Sequence, residues 1–283
     1  MVRFLSIFFI TLTTVIVGKA QAQQLPTPSF PDRWQLNLQK PVTEVAQFIY
    51  EFHTFLLWVT TVITIFVLAL LLICFIKFNS KANPVPSKTT HNTTLEVLWT
   101  VVPVIILIII AVPSYRLLYF MDRIDDAELT VKVVGNQWYW SYEFPDYEIE
   151  LIQLPLQEDQ IDVAAGQHRL LEVDEPLVLP VNTDIRILFT SNDVIHAWTI
   201  PAFGIKMDNV PGRTNETWTN VTEIGRYYGQ CSELCGVDHS YMPIVVDIVD
   251  RAEWERWKNG LVEEARGITS EDPIKRLAAI NTQ

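Results

Sequence analysis

The chain has 283 residues, 49% of them apolar, and a net charge of −12. That apolar content excludes a disordered chain, and the acidity excludes nucleic-acid binding through a basic surface. Most of the charge is local: residues 129–250 carry 19 acidic against 6 basic side chains, so that stretch suits a cationic partner, or is acidic only to stay soluble.

Met1 to Ala22 has the order of a secretory signal: Arg3, an apolar core from Phe4 to Val17, then Ala20-Gln21-Ala22 as a small-residue cleavage site. The competing reading, a first membrane helix, is short for spanning. The mature chain is expected to start near Gln23. Pro26, Pro28, Pro31 and Pro41 mark an extended lead-in. Phe55 to Ile76 is 22 residues without a charge, enough to cross a bilayer, and Leu95 to Leu118 is a second span, containing Glu96, Pro103 and Pro113 and with Arg116 near its end. Together they predict a two-helix transmembrane hairpin within residues 23–128.

Lys77, Lys81 and Lys88 lie between the spans with no acid before Glu96. A Lys-rich loop stays in the cytoplasm, which puts both outer ends on the far side. The signal predicts the same topology independently: a multi-pass protein of the bacterial inner membrane, its N-terminus and C-terminal domain periplasmic. Glu96, at the edge of the second span, reads equally as a functional carboxylate or a snorkelling anchor. Cys74, inside an apolar run, reads as an inert packing residue.

From Leu129 the pattern alternates. Leu129 to Val134, Gln137 to Phe144, Arg169 to Val173, Ile185 to Thr190, Arg226 to Gln230 and Ile244 to Val249 read as strands. Turns are expected at Gly135-Asn136, Pro145-Asp146, Ala165-Gly166, Pro211-Gly212 and Gly236. Short strands without intervening helices predict a Greek-key sandwich or barrel over residues 129–260. In Gln137 to Tyr142, alternation puts Trp138, Trp140 and Tyr142 on one face, as packing or as an aromatic belt. Arg251 to Glu264 has helical spacing, with Trp254 and Trp257 three apart. The tail, 261–283, carries no recognisable chemistry beyond the end of that helix.

The densest chemistry is in Cys231-Ser232-Glu233-Leu234-Cys235-Gly236-Val237-Asp238-His239-Ser240-Tyr241-Met242, with His196 upstream in Asp193-Val194-Ile195-His196. Cys, His and Met are donors that copper prefers. A single trigonal copper needs one cysteine only; the second thiolate can bridge, and two bridges hold two metals. Zinc would leave Met242 unused. A Cys231–Cys235 disulfide is the plain alternative in an oxidising compartment.

This run, C-S-E-L-C-G-x-x-H-x-x-M after D-V-I-H, resembles the copper A site of the cytochrome c oxidase subunit II family, and the likeness extends over residues 41–259. The resemblance implies a membrane-anchored all-β protein, a transmembrane hairpin followed by a cupredoxin-like Greek-key β-barrel. It implies that Cys231 and Cys235 bridge two coppers, that His196 and Met242 complete one copper, and that His239 and the backbone carbonyl of Glu233 complete the other. The Glu233 side chain would bind magnesium shared with subunit I. Glu96, in L-E-x-x-W-T, matches the carboxylate at the mouth of a proton pathway into subunit I. Trp138 matches the residue that takes electrons from cytochrome c, with Glu143, Asp146, Glu148 and Asp193 as candidate docking acids. The implied partners are oxidase subunits I and III, cytochrome c and membrane lipid. The implied function is to accept electrons from reduced cytochrome c and pass them to the haems of subunit I, where oxygen is reduced to water with proton pumping.

Three other families compete. A copper chaperone of oxidase assembly has one anchor and a thioredoxin-like fold, which two spans and alternating strands oppose. A quinol oxidase subunit II lacks the ligand set. Nitrous oxide reductase lacks the membrane hairpin.

Overall fold

The computed structural model describes residues 25–123 and 127–265. The expected signal at 1–22 and most of the tail at 261–283 lie outside the described residues.

Helix α1 (Glu44–Lys77) begins at Thr43, whose side chain accepts the Ala46 N–H at 2.9 Å. Glu44 in the first turn and Lys77 in the last suit the helix dipole. The helix starts eleven residues before the uncharged run. At 1.5 Å per residue its 34 residues reach about 51 Å, well beyond a hydrocarbon core of about 30 Å. The surplus is the buried end: Val45 and Ala46 pack against the β domain, and Thr43 Oγ1 donates to Phe203 O at 2.8 Å. Helix α2 (Thr93–Met121) is capped by Asn92 and contains Pro103 and Pro113. Both helices pass as candidate membrane spans, and no residue of α2 is buried within this chain. Cys74, expected to pack, is exposed on α1: in an isolated two-helix hairpin most of the helix surface faces outward.

The β domain has ten strands. β1 (Leu129–Asn136), β2 (Tyr139–Phe144), β3 (Ile149–Gln153), β5 (Ile185–Ser191) and β8 (Asn215–Thr219) form one sheet in the order β3-β2-β1-β5-β8. β4 (Leu177–Pro180), β9 (Gly225–Gln230) and β10 (Pro243–Val249) form a second, β4-β10-β9, and β6 (His196–Ile200) pairs with β7 (Ile205–Asn209). β1 with β5 and β4 with β10 run parallel; the other pairs are antiparallel. The connections cross between sheets, giving the Greek-key barrel that the resemblance implied. Its core holds Trp140, Tyr142, Phe189, Trp198, Phe203 and Tyr227, all fully buried, and each such side chain contributes roughly 1.5–3 kcal/mol or more by leaving water. Helix α3 (Arg251–Ala265) closes one end, with Trp254 buried and Trp257 edge-on to Phe144 at 5.8 Å.

Two local expectations differ from the fold. The hairpin turn falls on Gln137-Trp138, not Gly135-Asn136, because the β1–β2 ladder continues to Asn136 opposite Tyr139. Arg169 to Val173 is not a strand: Leu170 has φ 67° and Val173 makes only an isolated bridge to Pro155. Glu172 turns inward there, accepting from His168 N and Tyr228 Oη at 3.0 Å each.

Candidate metal centre

The β6–β7 pair carries His196 into the barrel's end. Buried Asn209 ties that pair to the large sheet: its amide donates to Val133 O and Thr190 O, each at 3.0 Å, while its carbonyl accepts from Trp198 N at 3.2 Å. The loop between β9 and β10 brings Cys231 and Cys235 to the same place. Cys231 N donates to Met242 O at 3.1 Å and Ser232 N to Ala197 O at 3.0 Å, so both ends of the loop and β6 are cross-linked.

The ligand atoms of His196, Cys231 and Cys235 lie within 4.8 Å of one another. Cys231 Sγ is 3.8 Å from Cys235 Sγ and 3.9 Å from His196 Nδ1; Cys235 Sγ is 3.6 Å from His239 Nδ1. Glu233 O is 3.3 Å from Cys231 Sγ. Met242 is 1% exposed and belongs to the same buried cluster as the cysteines. Both cysteines are free thiols.

This donor set fits a metal. Two sulfurs bonded to one ion at about 2.3 Å with a near-tetrahedral angle lie about 3.8 Å apart, and a sulfur and an imidazole nitrogen about 3.6 Å apart. The sulfur pair at 3.8 Å and Cys235–His239 at 3.6 Å match those values, and Cys231–His196 at 3.9 Å is slightly longer. With two thiolates, two imidazoles, a thioether and a carbonyl, the loop and His196 of β6 together offer more donors than one tetrahedral ion uses.

The imidazole of His196 is fully buried and held on three sides. Its Nε2 donates to Asp193 Oδ1 at 2.8 Å, which leaves the Nδ1 lone pair facing Cys231. This is the carboxylate–histidine pairing that orients metal ligands. Trp140 lies edge-on to the ring at 5.9 Å between centroids. A Cβ on Gly135 would come within 2.7 Å of His196 Cδ2, so only glycine leaves room for the ring. Asp193 also accepts Gln137 N and Val194 N, each at 2.6 Å.

Charge is arranged accordingly. Burial raises the Cys231 thiol, but His196, the backbone at Ala197 and Glu233, and His239 together bring it well below its ordinary range. Burial and the neighbouring Cys231 sulfur push Cys235 up. The pair therefore keeps a proton that an incoming cation must displace. Burial pulls His196 down, but Cys231 and Asp193 outweigh it and raise it; burial pushes Asp193 up, but His196 and two backbone N–H groups hold it low.

Trp138 sits in the β1–β2 turn, half-buried, and its Nε1 donates to Cys235 O at 3.3 Å; Gln137 Nε2 donates to the same oxygen at 2.8 Å. Gly236, at φ 127°, permits this contact: a Cβ there would be 3.1 Å from the indole. Around it the surface is apolar, with Leu234 78% and Val237 86% exposed. The Glu233 side chain is exposed.

The expected docking acids divide. Asp193 is committed to His196. Glu143 is half-buried and bonded to Lys132 at 2.9 Å. Asp146 and Glu148 are exposed in the β2–β3 turn, about 20 Å along the strand from Trp138 at ~3.4 Å per residue. Glu96 stands in the first turn of α2, exposed and remote in sequence from the metal loop. Sequence reading missed Gly135, Gln137 and Trp140 as parts of this site; only the D-x-x-H spacing signalled Asp193.

Residues 129–249 match the family model described as cytochrome c oxidase subunit II, periplasmic domain, and residues 31–117 match the corresponding transmembrane domain. A probable cytochrome c oxidase subunit 2 of Rickettsia prowazekii is 48% identical over 230 residues, covering 81% of this chain and 73% of that protein. Another, from Rickettsia bellii, is 44% identical over 251 residues, covering 88% and 93%. A crystal structure of the periplasmic domain of subunit II of cytochrome oxidase of Bradyrhizobium japonicum is 45% identical, covering 50% of this chain and 99% of that one, with a TM-score of 0.46.

Proposed function

The chain belongs to the cytochrome c oxidase subunit II family, and from that membership we propose that its cysteine loop holds a binuclear copper A centre serving electron transfer from cytochrome c. It is a membrane-anchored subunit of a haem-copper oxidase complex. We assign it the role of accepting electrons from reduced cytochrome c and delivering them to the haems of subunit I, where oxygen becomes water with proton pumping. Its partners in that reading are subunits I and III, and its place is the bacterial inner membrane with the barrel on the periplasmic side.

The observation that carries this reading is the 3.8 Å pair of sulfurs with an imidazole nitrogen beside each. Cys231 and Cys235 would bridge; His196 and Met242 would complete one position, His239 and the Glu233 carbonyl the other. Two coppers held so would supply a one-electron store shared across both ions. The chain's own residues do the rest. Asp193, Trp140 and Gly135 hold His196 rigid, so its ring does not reorient when charge changes. The barrel core keeps water from Cys231, Cys235, His196 and Met242, whose exposures are 6% or less. Trp138, bonded to the Cys235 carbonyl, couples the outer surface to the sulfur loop through one hydrogen bond. Exposed Leu234 and Val237 beside it provide a desolvating centre, while Asp146 and Glu148 farther along the hairpin, with half-buried Glu143, steer a basic partner and raise its on-rate. We assign magnesium to the Glu233 carboxylate, shared with subunit I, and a proton-pathway role to Glu96.

Metal analysis and electron resonance on the purified protein test the centre. Two coppers per chain with a mixed-valence signal that disappears in Cys231→Ser and Cys235→Ser is the expected result. One copper, zinc, or a signal unchanged by those substitutions would overturn it.

A further inference from the structure

The loop at residues 32–38, shortly before α1, leaves large apolar side chains uncovered. Trp34 is 89% and Leu36 92% exposed. The loop is closed on itself: Gln35 N donates to Asp32 O at 3.2 Å, Asp32 N to Gln35 Oε1 at 2.9 Å, and Gln35 Nε2 to Leu38 O at 2.6 Å. Trp34 takes a left-handed φ of 64°, a costly conformation for a bulky residue. These internal bonds hold the backbone shape that leaves both apolar side chains outward.

The loop's height is set by α1. Asn37 bonds His53 Nδ1 at 2.7 Å and Thr54 Oγ1 at 3.0 Å, directly before Phe55, where the uncharged run begins. Its far end is tied to the barrel side: Ser29 Oγ donates to Lys40 O at 2.7 Å, and Lys40 pairs with Glu223 at 2.5 Å. Leu57 and Trp58, in the first turn of the uncharged run, are exposed as well. Indoles favour the boundary between lipid and water, apolar ring inward and N–H toward headgroups, and Arg33 beside Trp34 has the reach to snorkel. Two projecting side chains are too few to make a protein interface alone, since a stable one buries about 800 Å² per partner.

We propose that this loop is an interfacial anchor: Trp34 and Leu36 enter the headgroup–acyl boundary of the bilayer beside α1 and fix the height of the barrel above the membrane. The occupant of this surface is lipid, not another subunit.

The test places a spin label at Leu36→Cys, in a Cys74→Ser background, in the intact oxidase reconstituted into phospholipid bilayers. The same complex without the new cysteine sets the background. A label at Asp159→Cys, on an exposed barrel loop, serves as the water reference. The expected result is loss of most of the collision with a soluble nickel chelate seen at position 159, with collision by oxygen retained. Equal access to both reagents would place the loop in water, and exclusion of both would place it under another subunit; either overturns the proposal. Leu38→Cys provides a second labelling position should Leu36→Cys prevent assembly.

Discussion

A buried imidazole with a backbone against one face, an indole at its edge and a carboxylate on one nitrogen has one orientation left. His196 is in that position, and the residues that put it there give the sharpest tests. Gly135→Ala would thrust a methyl group to within 2.7 Å of the ring carbon. The expected outcome is a displaced ligand and copper affinity reduced about 10–100-fold, the usual cost of disturbing a metal ligand's support, read by competition with a chelator. Asp193→Asn keeps the shape but weakens the hold on Nε2–H. Its expected effect is a similar loss of affinity and altered imidazole hyperfine coupling, with the fold intact by circular dichroism. Gly135 also shows how a residue's meaning depends on scale. In the linear chain it reads as a turn; in the barrel it is the space that the His196 ring of another strand occupies.

Among the elements, β9 couples the two sides of the small sheet to the segment that precedes it. Arg226 forms paired bonds to Asp247 at 2.8 and 2.7 Å and lies 3.8 Å from buried Glu172, which also accepts the Tyr228 hydroxyl. Burial, then the Glu172 charge, raises Tyr228 well above its ordinary 10.0. A tyrosine whose folded pKa is raised stabilises the fold fully below about pH 10 and loses that contribution as pH climbs through the folded value. The copper-loaded protein should therefore have a lower urea midpoint at pH 11 than at pH 9. Tyr228→Phe should reduce that difference, and an unchanged pH dependence would remove Tyr228 as its source. The turn at 169–173 belongs to this cluster. Its apolar–polar alternation reads as a strand, but Glu172 is drawn inward by Arg226 and Tyr228, partners more than fifty residues away.

Across the whole molecule, acidity and apolar surface are placed apart, and in the docking proposed above each has its own part. Trp138 stands near the cysteine loop and the acids lie along the hairpin, so they act on encounter more than on contact. Trp138→Ala should slow electron acceptance from cytochrome c while leaving the copper spectrum unchanged; normal transfer would remove the indole from the path. Asp146→Asn with Glu148→Gln should lower the association rate and flatten its dependence on salt, since such exposed charges are screened within about 8–10 Å at 0.10–0.15 M ionic strength. Equal salt slopes in variant and parent would take these acids out of the docking face.

Sequence alone determined what depends on residue type and local spacing. Two apolar runs long enough to cross a bilayer, the change to alternating strands at Leu129, and the soft donors crowded between Cys231 and Met242 are all properties of neighbours along the chain. Tertiary structure decided what depends on closure of the barrel. Closure makes Gly135 a clearance for the His196 ring, ties the Asp193 carboxylate to Gln137 N as well as to His196, and makes Gln137 a latch on the Cys235 carbonyl. The contacts of Gln137 with Asp193 and with Cys235, and of Gly135 with His196, join positions 56 to 98 residues apart, and no period or motif in a single chain encodes which of its strands will meet.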